Sequence, residues 1–235
     1  MDTNWIDERS KVILDVIKKN NDIKKYVDSR YEFPKVWVKS NEVKLVIIGQ
    51  DPTVVNENDR KNIKYVLNLD KDKIMKKYVQ LIVGEFEADV DNNVYATNFF
   101  KNFFIKPPTW LKNNNINMFE LTYAYWAPLL VDELNKLPPN VPVITLGENV
   151  FDVIKKDKND RLKYVWGYPN QGDFRILSND QNILNRLVIP FPHEKGTNPS
   201  EKQLVGKSSL QQEKILYYHN TFNKYCKFVK EFIIN

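Results

Sequence analysis

The sequence predicts an α/β protein built on a parallel sheet. Four short apolar runs recur along the 235 residues, and a segment long enough to form a helix separates each run from the next. This alternation is typical of strands that are joined by helical crossovers in a parallel sheet. The hydrophobic content is 42%, with no break in composition along the chain, so one sizeable core is expected. We therefore predict a single domain spanning residues 1–235.

The predicted strands are nearly continuous apolar runs. Such runs are typical of strands that are buried on both faces. They lie at 43–48 (VKLVII), 93–100 (NVYATNFF), 142–147 (PVITLG) and 186–193 (RLVIPFPH).

Apolar residues spaced three and four apart predict helices around and between these strands. The predicted helices cover 6–19, 22–30, 70–86, 119–136, 148–157 and 209–233. The buried face of the third helix is expected to contain Ile74, Tyr78, Leu81, Ile82 and Phe86. Pro128 is expected to kink the fourth helix. The polar stretches 110–117 and 155–163 are predicted to be turns.

Composition excludes several kinds of site. Cys226 is the single cysteine, so neither an internal disulfide nor an all-cysteine metal or iron–sulfur site can form. With His193 and His219 as the two histidines, a zinc site is not expected either. No uncharged apolar run reaches the ~18 residues needed to span a bilayer, and we predict a cytoplasmic protein without membrane association. The formal net charge of +5 permits binding to nucleic acid without requiring it.

Polar residues follow or end the four predicted strands. The first strand runs into Gly49-Gln50-Asp51, the second contains Asn98, the third ends at Gly147 and the fourth ends at His193. Because ligands of open parallel sheets bind beyond the carboxyl ends of the strands, these groups are expected to converge on one crevice.

The stretch VIIGQDP (46–52) resembles the first motif of the uracil-DNA glycosylase superfamily, whose uracil-specific branch reads Gly-Gln-Asp-Pro-Tyr-His. The segments VYATNFFK (94–101), ITLG (144–147) and IPFPHEKG (189–196) follow in the order of that family. The resemblance spans roughly residues 40–200 of this chain. It implies a three-layer α/β sandwich with a central four-stranded parallel sheet, and a role in base excision repair by cleaving uracil from deoxyribose after base flipping.

The resemblance also implies roles for individual residues. Asp51 would be catalytic, stabilising the positively charged sugar and orienting the attacking water. His193 would be catalytic as a neutral imidazole that donates a hydrogen bond to the uracil oxygen on which negative charge develops. Backbone amides near Gln50 and the side chain of Asn98 would bind the edge of the base. The reaction would need neither a metal nor a cofactor.

The chain departs from the family at the positions that handle the base and the DNA. Thr53 replaces a tyrosine that closes the pocket against thymine, and Leu67 replaces a phenylalanine that stacks on uracil, with Tyr65 as a substitute only if the register slips. Asp70-Lys71-Asp72 stands in place of a serine turn that binds a phosphate, although an aspartate there also suits a helix N-cap. After the histidine, Glu194–Ser200 lacks the leucine that wedges into DNA. Leu204 is the nearest substitute, and it is expected far along a polar loop.

Two function hypotheses follow. The leading one is a pseudo-glycosylase that acts as a binder, either of a DNA-mimicking acidic glycosylase inhibitor protein or, weakly, of DNA. The alternative is an active DNA glycosylase that releases uracil and also thymine, because Thr53 leaves room for a methyl group. A base-release assay distinguishes the two.

The same residues have other interpretations. Asp51 before a proline is also a common way to start a turn, Asn98 can be a bulge residue, and His193 can belong to a surface loop. The segment VGKSS (205–209) contains the Gly-Lys-Ser of a phosphate-binding loop. Glu201 stands where that loop needs its first glycine, so nucleotide-phosphate binding is discounted.

Overall fold

The computed structural model describes residues 2–54, 56–169 and 173–234. The strands of this part of the chain are β1 (Val27–Asp28), β2 (Leu45–Gly49), β3 (Val94–Asn98), β4 (Phe103–Phe104), β5 (Val143–Leu146) and β6 (Val188–Phe191). The helices are α1 (Asn4–Lys19), α2 (Asn21–Lys24), α3 (Glu57–Arg60), α4 (Lys73–Gly84), α5 (Pro108–Asn113), α6 (Met118–Leu134), α7 (Glu148–Ile154), α8 (Leu162–Val165), α9 (Glu194–Thr197), α10 (Glu201–Leu204) and α11 (Ser209–Ile234). Among these helices, none has the length and apolar character needed to cross a membrane.

The central sheet contains four parallel strands in the order β3-β2-β5-β6. Every residue of these strands is buried, because helices flank the sheet, as in a three-layer α/β sandwich. The predicted α/β fold with a four-stranded parallel sheet is therefore confirmed. A second, two-residue antiparallel ladder joins β1 to β4, and the sequence did not predict it.

Two predictions about the helices need correction. The helix expected at 22–30 ends at Lys24, and the chain then enters β1. The stretch 110–117, predicted to be a turn, is partly helical because α5 extends to Asn113. Pro128 lies inside α6, which runs from Met118 to Leu134, and the kink expected at this proline stays a prediction.

The buried face of α4 also differs from the prediction. Its buried residues are Met75, Tyr78, Val79, Ile82 and Val83. Ile74 and Leu81, which were expected inside, are exposed, and Phe86 lies beyond the end of the helix. The helix is apolar on more than one side, so periodicity alone does not choose between two faces that overlap at Tyr78 and Ile82.

Two contacts fix the end of β6, from which the chain continues to His193. The Tyr78 hydroxyl on α4 donates to the carbonyl oxygen of Pro192 at 2.7 Å. The long helix α11 packs here through Tyr225, whose ring lies 4.2 Å from that of Trp166 and 5.3 Å from that of Phe191, measured between ring centroids. His193 therefore follows a strand whose end is in contact with both α4 and α11.

Candidate functional site

The four parallel strands bring the predicted polar residues to one edge of the sheet. Asn98 lies at the end of β3, directly opposite Gly49 at the end of β2. Asp51 comes two residues after Gly49. Gly147 comes directly after β5, and His193 comes two residues after β6. Since adjacent strands are about 4.8 Å apart, β2 and β6 are separated by roughly 10 Å. The segments that carry Asp51 and His193 therefore leave the sheet about 10 Å apart.

Asn98 is the most deeply buried polar residue of this edge. It is 1% exposed, and neither Oδ1 nor Nδ2 of its carboxamide has a hydrogen-bond partner among the residues that the structure describes. Its backbone is held firmly, because Lys101 Nζ donates to the Asn98 carbonyl oxygen at 2.7 Å and to Glu133 Oε2 at 2.6 Å. The β2–β3 register is unbroken through Asn98, so the residue does not form a bulge. The Asn98 amide is therefore enclosed at the end of a hydrogen-bonded strand, with both of its polar atoms unbonded.

Leu67 lies against the same point of the sheet. A Cβ atom placed on Gly49 would come within 2.4 Å of Leu67 Cδ2 and 2.5 Å of Asn98 Oδ1, so the absence of a side chain at Gly49 lets the other two approach. Leu67 has a φ of 55° and Asn68 a φ of 51°, a conformation that is unusual for leucine. The aromatic ring of Tyr65 instead packs edge-on against Trp37, with 5.3 Å between centroids. Leu67 therefore fills the position that the resemblance assigns to a stacking aromatic ring, and Tyr65 does not take its place.

Both carboxylate oxygens of Asp51 accept hydrogen bonds. Gln50 Nε2 donates to Oδ1 and the Thr53 backbone N–H donates to Oδ2, each at 2.8 Å. Burial raises the pKa of Asp51 to about 6, although the Thr53 and Gln50 hydrogen bonds and the charge of Arg60 act in the opposite direction. A carboxylate offers about four acceptor positions, so a water molecule can still bind it. The Asp51 carboxyl group is therefore predominantly ionised at pH 7 and becomes protonated as the pH falls below about 6.

The Thr53 hydroxyl is committed to the fold. Its Oγ1 accepts a hydrogen bond from the Phe104 backbone N–H at 2.8 Å. Thr53 thereby ties the loop after β2 to the short strand β4. The backbone N–H and the hydroxyl of Thr53 therefore stabilise the loop. Its side chain is too small to replace the tyrosine that closes the pocket in uracil-DNA glycosylases.

His193 lies at the rim of the edge, where its side chain is solvent accessible. Its Nδ1 accepts a hydrogen bond from the Lys195 backbone N–H at 3.3 Å, which places the proton of the neutral ring on Nε2. Desolvation by the protein on its inner side lowers the pKa of His193, and Lys195 lowers it further, whereas Glu194 and Asp72 act in the opposite direction. His193 is therefore a neutral hydrogen-bond donor at pH 7.

The segments that the resemblance assigns to DNA binding have other roles in this structure. Asp72 is the N-cap of α4 and accepts from the backbone N–H groups of Ile74 and Met75, both at 3.0 Å. After the histidine the chain turns into α9, in which Glu194 is buried. Leu204 is half-buried at the end of α10. No apolar residue directly follows His193 to act as a wedge.

Asn149 and Lys112 belong to the site and were not predicted. Asn149, in the first turn of α7, donates from Nδ2 to Gln50 Oε1 at 3.0 Å, and Lys112 of α5 donates to Asn149 Oδ1 at 3.0 Å. The signal in the sequence was weak: a polar residue two places after the glycine that ends a strand. No cluster of three or more metal-ligating side chains occurs within the described ranges.

A scan against protein-family models and a search of curated proteins give no match to this chain. The likeness to uracil-DNA glycosylases is therefore a likeness of motifs, and the functional interpretation depends on the geometry of the site itself.

Proposed function

We propose that the chain is a catalytically impaired protein of the uracil-DNA glycosylase type, which binds the hydrogen-bonding edge of a pyrimidine base. The observation that carries this proposal is the Asn98 carboxamide, buried with both polar atoms unbonded. Such a group costs free energy of folding and is rare in native proteins. One donor next to one acceptor matches the adjacent C=O and N–H groups of uracil or thymine.

The other residues of the edge suit the same ligand. With its proton on Nε2, His193 donates to a base oxygen at the far side of the ligand from Asn98. Asp51 supplies negative charge where the sugar of a nucleotide would lie, and it can hold a water molecule. Together these groups form a site for a base with donors and acceptors on its edge and a sugar on its other side.

Binding of duplex DNA is expected to be weak. Leu67 in place of an aromatic residue forfeits stacking worth about 1–3 kcal/mol. Asp72 puts a carboxylate near the place where a phosphate would bind. Flipping a nucleotide out of a duplex itself costs a few kcal/mol, and the segment after His193 offers no wedge to offset this cost. Efficient repair of duplex DNA is therefore not expected.

The proposed partner is an acidic, DNA-mimicking glycosylase inhibitor protein, with DNA as a weaker ligand. Exposed lysines surround the edge: Lys71, Lys73, Lys112 and Lys195. A folded acidic protein can present carboxylates to these lysines without any base having to flip. Isothermal titration calorimetry with a purified inhibitor protein tests this directly, and undetectable heat would refute the partner.

Base release from oligonucleotides tests the impairment. Single-stranded and mismatched DNA containing uracil is incubated with the protein and with the Asp51→Asn variant. We expect the two to release uracil at the same low rate. Release by the wild-type protein well above that of the variant would show that the protein is an enzyme.

Active hydrolysis is the second candidate, and one observation favours it. The pKa of Asp51 is raised to about 6 and that of His193 is lowered, so at neutral pH the carboxylate is charged and the imidazole is neutral. These are the protonation states that hydrolysis of the bond between sugar and base requires. In this case release of thymine as well as uracil is expected, because Thr53 leaves the methyl side of the base open.

A further inference from the structure

Three hydrogen bonds connect the surface of α5 with Asp51. Lys112 Nζ donates to Asn149 Oδ1 at 3.0 Å, Asn149 Nδ2 donates to Gln50 Oε1 at 3.0 Å, and Gln50 Nε2 donates to Asp51 Oδ1 at 2.8 Å. Lys112 is exposed, whereas the other three side chains are partly buried. The bonds join residues from three separate parts of the chain.

The two ends of this series fix the orientation of the amides between them. An ammonium group can only donate and an ionised carboxylate can only accept. With Lys112 donating at one end and Asp51 accepting at the other, each amide has one orientation in which both of its bonds form. The opposite orientation of Gln50 would place its oxygen against the Asp51 carboxylate. The series therefore holds Gln50 with its NH₂ group toward Asp51.

We propose that Asn149 is a positioning residue of the site, which acts through Gln50 to hold the Asp51 carboxylate in one orientation. Lys112 completes the arrangement by fixing the amide of Asn149. The importance of this arrangement for base binding rests on the proposed function, whereas the arrangement itself can be tested without any ligand.

The other groups that act on Asp51 do not depend on Asn149. The Thr53 backbone N–H binds the second carboxylate oxygen, and the positive charge of Arg60 also acts on Asp51. Loss of Asn149 should therefore release one oxygen of the carboxylate while the other stays bound. Because the Gln50 hydrogen bond favours the ionised form, its loss should make Asp51 easier to protonate.

Nuclear magnetic resonance on the whole chain tests the proposal with the Asn149→Leu variant. We expect the apparent pKa of Asp51, followed by the ¹³C signal of its carboxyl carbon, to rise by about 0.5 unit. We also expect the ¹⁵N heteronuclear NOE of the Gln50 side-chain amide to fall to the value of an exposed glutamine. A folded variant with the wild-type titration and the wild-type NOE overturns the proposal.

Two lysine variants keep the test decisive if Asn149→Leu does not fold. Lys112→Met removes the donor to Asn149, and Lys106→Met removes the same charge from an exposed position nearby that takes no part in these bonds. The Gln50 NOE should fall in Lys112→Met and stay at the wild-type value in Lys106→Met; equal behaviour of the two variants contradicts the proposal. Failure of the wild-type protein to bind uracil would refute the proposed function and leave these results unaffected.

Discussion

A buried amide without hydrogen bonds lowers the stability of the protein that contains it, and Asn98 is such a group. Asn182 is equally buried, yet it donates to the carbonyl oxygens of Ser178 and Arg186, both at 2.7 Å, and accepts from the Leu184 N–H at 3.0 Å. The two residues have the same chemistry and exposure but opposite hydrogen bonding. Under the proposed function, Asn98 keeps its polar atoms for a ligand, whereas Asn182 uses its polar atoms to hold the fold.

Substitution by leucine, which has nearly the same shape, should therefore affect the two positions differently. Asn98→Leu should leave the free energy of unfolding unchanged or raise it by about 1 kcal/mol, because an unpaired polar group is removed. Asn182→Leu should lower it by about 3 kcal/mol, because three backbone groups lose their partner. Urea denaturation measures both. Comparable losses in the two variants would mean that Asn98 has a structural role instead.

The raised pKa of Asp51 makes stability depend on pH. The pKa is about 6 in the folded protein against 3.8 ordinarily, so the folded state binds more protons than the unfolded state between about pH 4 and 6. The free energy of unfolding must fall as pH rises through this window. Because the carboxylate is partly solvent accessible, we expect a loss of about 1 kcal/mol relative to Asp51→Asn. Denaturation at pH 4 and pH 7 measures it, and a difference that stays constant between these values would contradict the assignment.

At the scale of elements, one side chain at the start of α4 has a structural role and a second role under the proposed function. Asp72 caps the helix through two backbone N–H groups, and the proposed function places its charge near a DNA phosphate. The cap needs an oxygen acceptor, whereas the repulsion needs a negative charge. Asparagine retains the first property and removes the second.

Asp72→Asn should therefore leave the free energy of unfolding within about 0.5 kcal/mol of the wild-type value, while Asp72→Ala lowers it by about 1 kcal/mol. Both variants should bind single-stranded DNA about threefold more tightly at low salt, since a repulsive charge is gone. Fluorescence anisotropy measures the affinity. If neither variant binds single-stranded DNA more tightly than the wild-type protein, Asp72 does not face bound DNA.

The sequence predicted correctly those elements whose apolar pattern has a single interpretation. The strands of the central sheet are buried on both faces, so their apolar runs stand out at β2, β3, β5 and β6. The two-residue strands β1 and β4 were too short to produce a pattern. The prediction of the buried face of α4 was wrong because several sides of that helix are apolar. Tertiary packing determines which of these sides is buried.

At the scale of the whole molecule, the parallel topology explains why Asn98, Asp51 and His193 lie at one edge. This placement follows from the strand order, and the sequence predicted it because all three residues end or follow strands. The sequence did not predict Asn149 and Lys112, since a contact between α5, α7 and the loop after β2 has no local signature. Their role becomes visible only when three distant segments are brought together.

Titration of the ¹⁵N-labelled protein with free uracil tests the central claim most directly. We predict saturable shifts of the Asn98 side-chain amide and of backbone signals at Gly49 and His193, which disappear in Asn98→Leu and are absent with adenine as the ligand. Uracil that leaves these signals unchanged, or that shifts only residues away from the carboxyl edge of the sheet, would contradict the account.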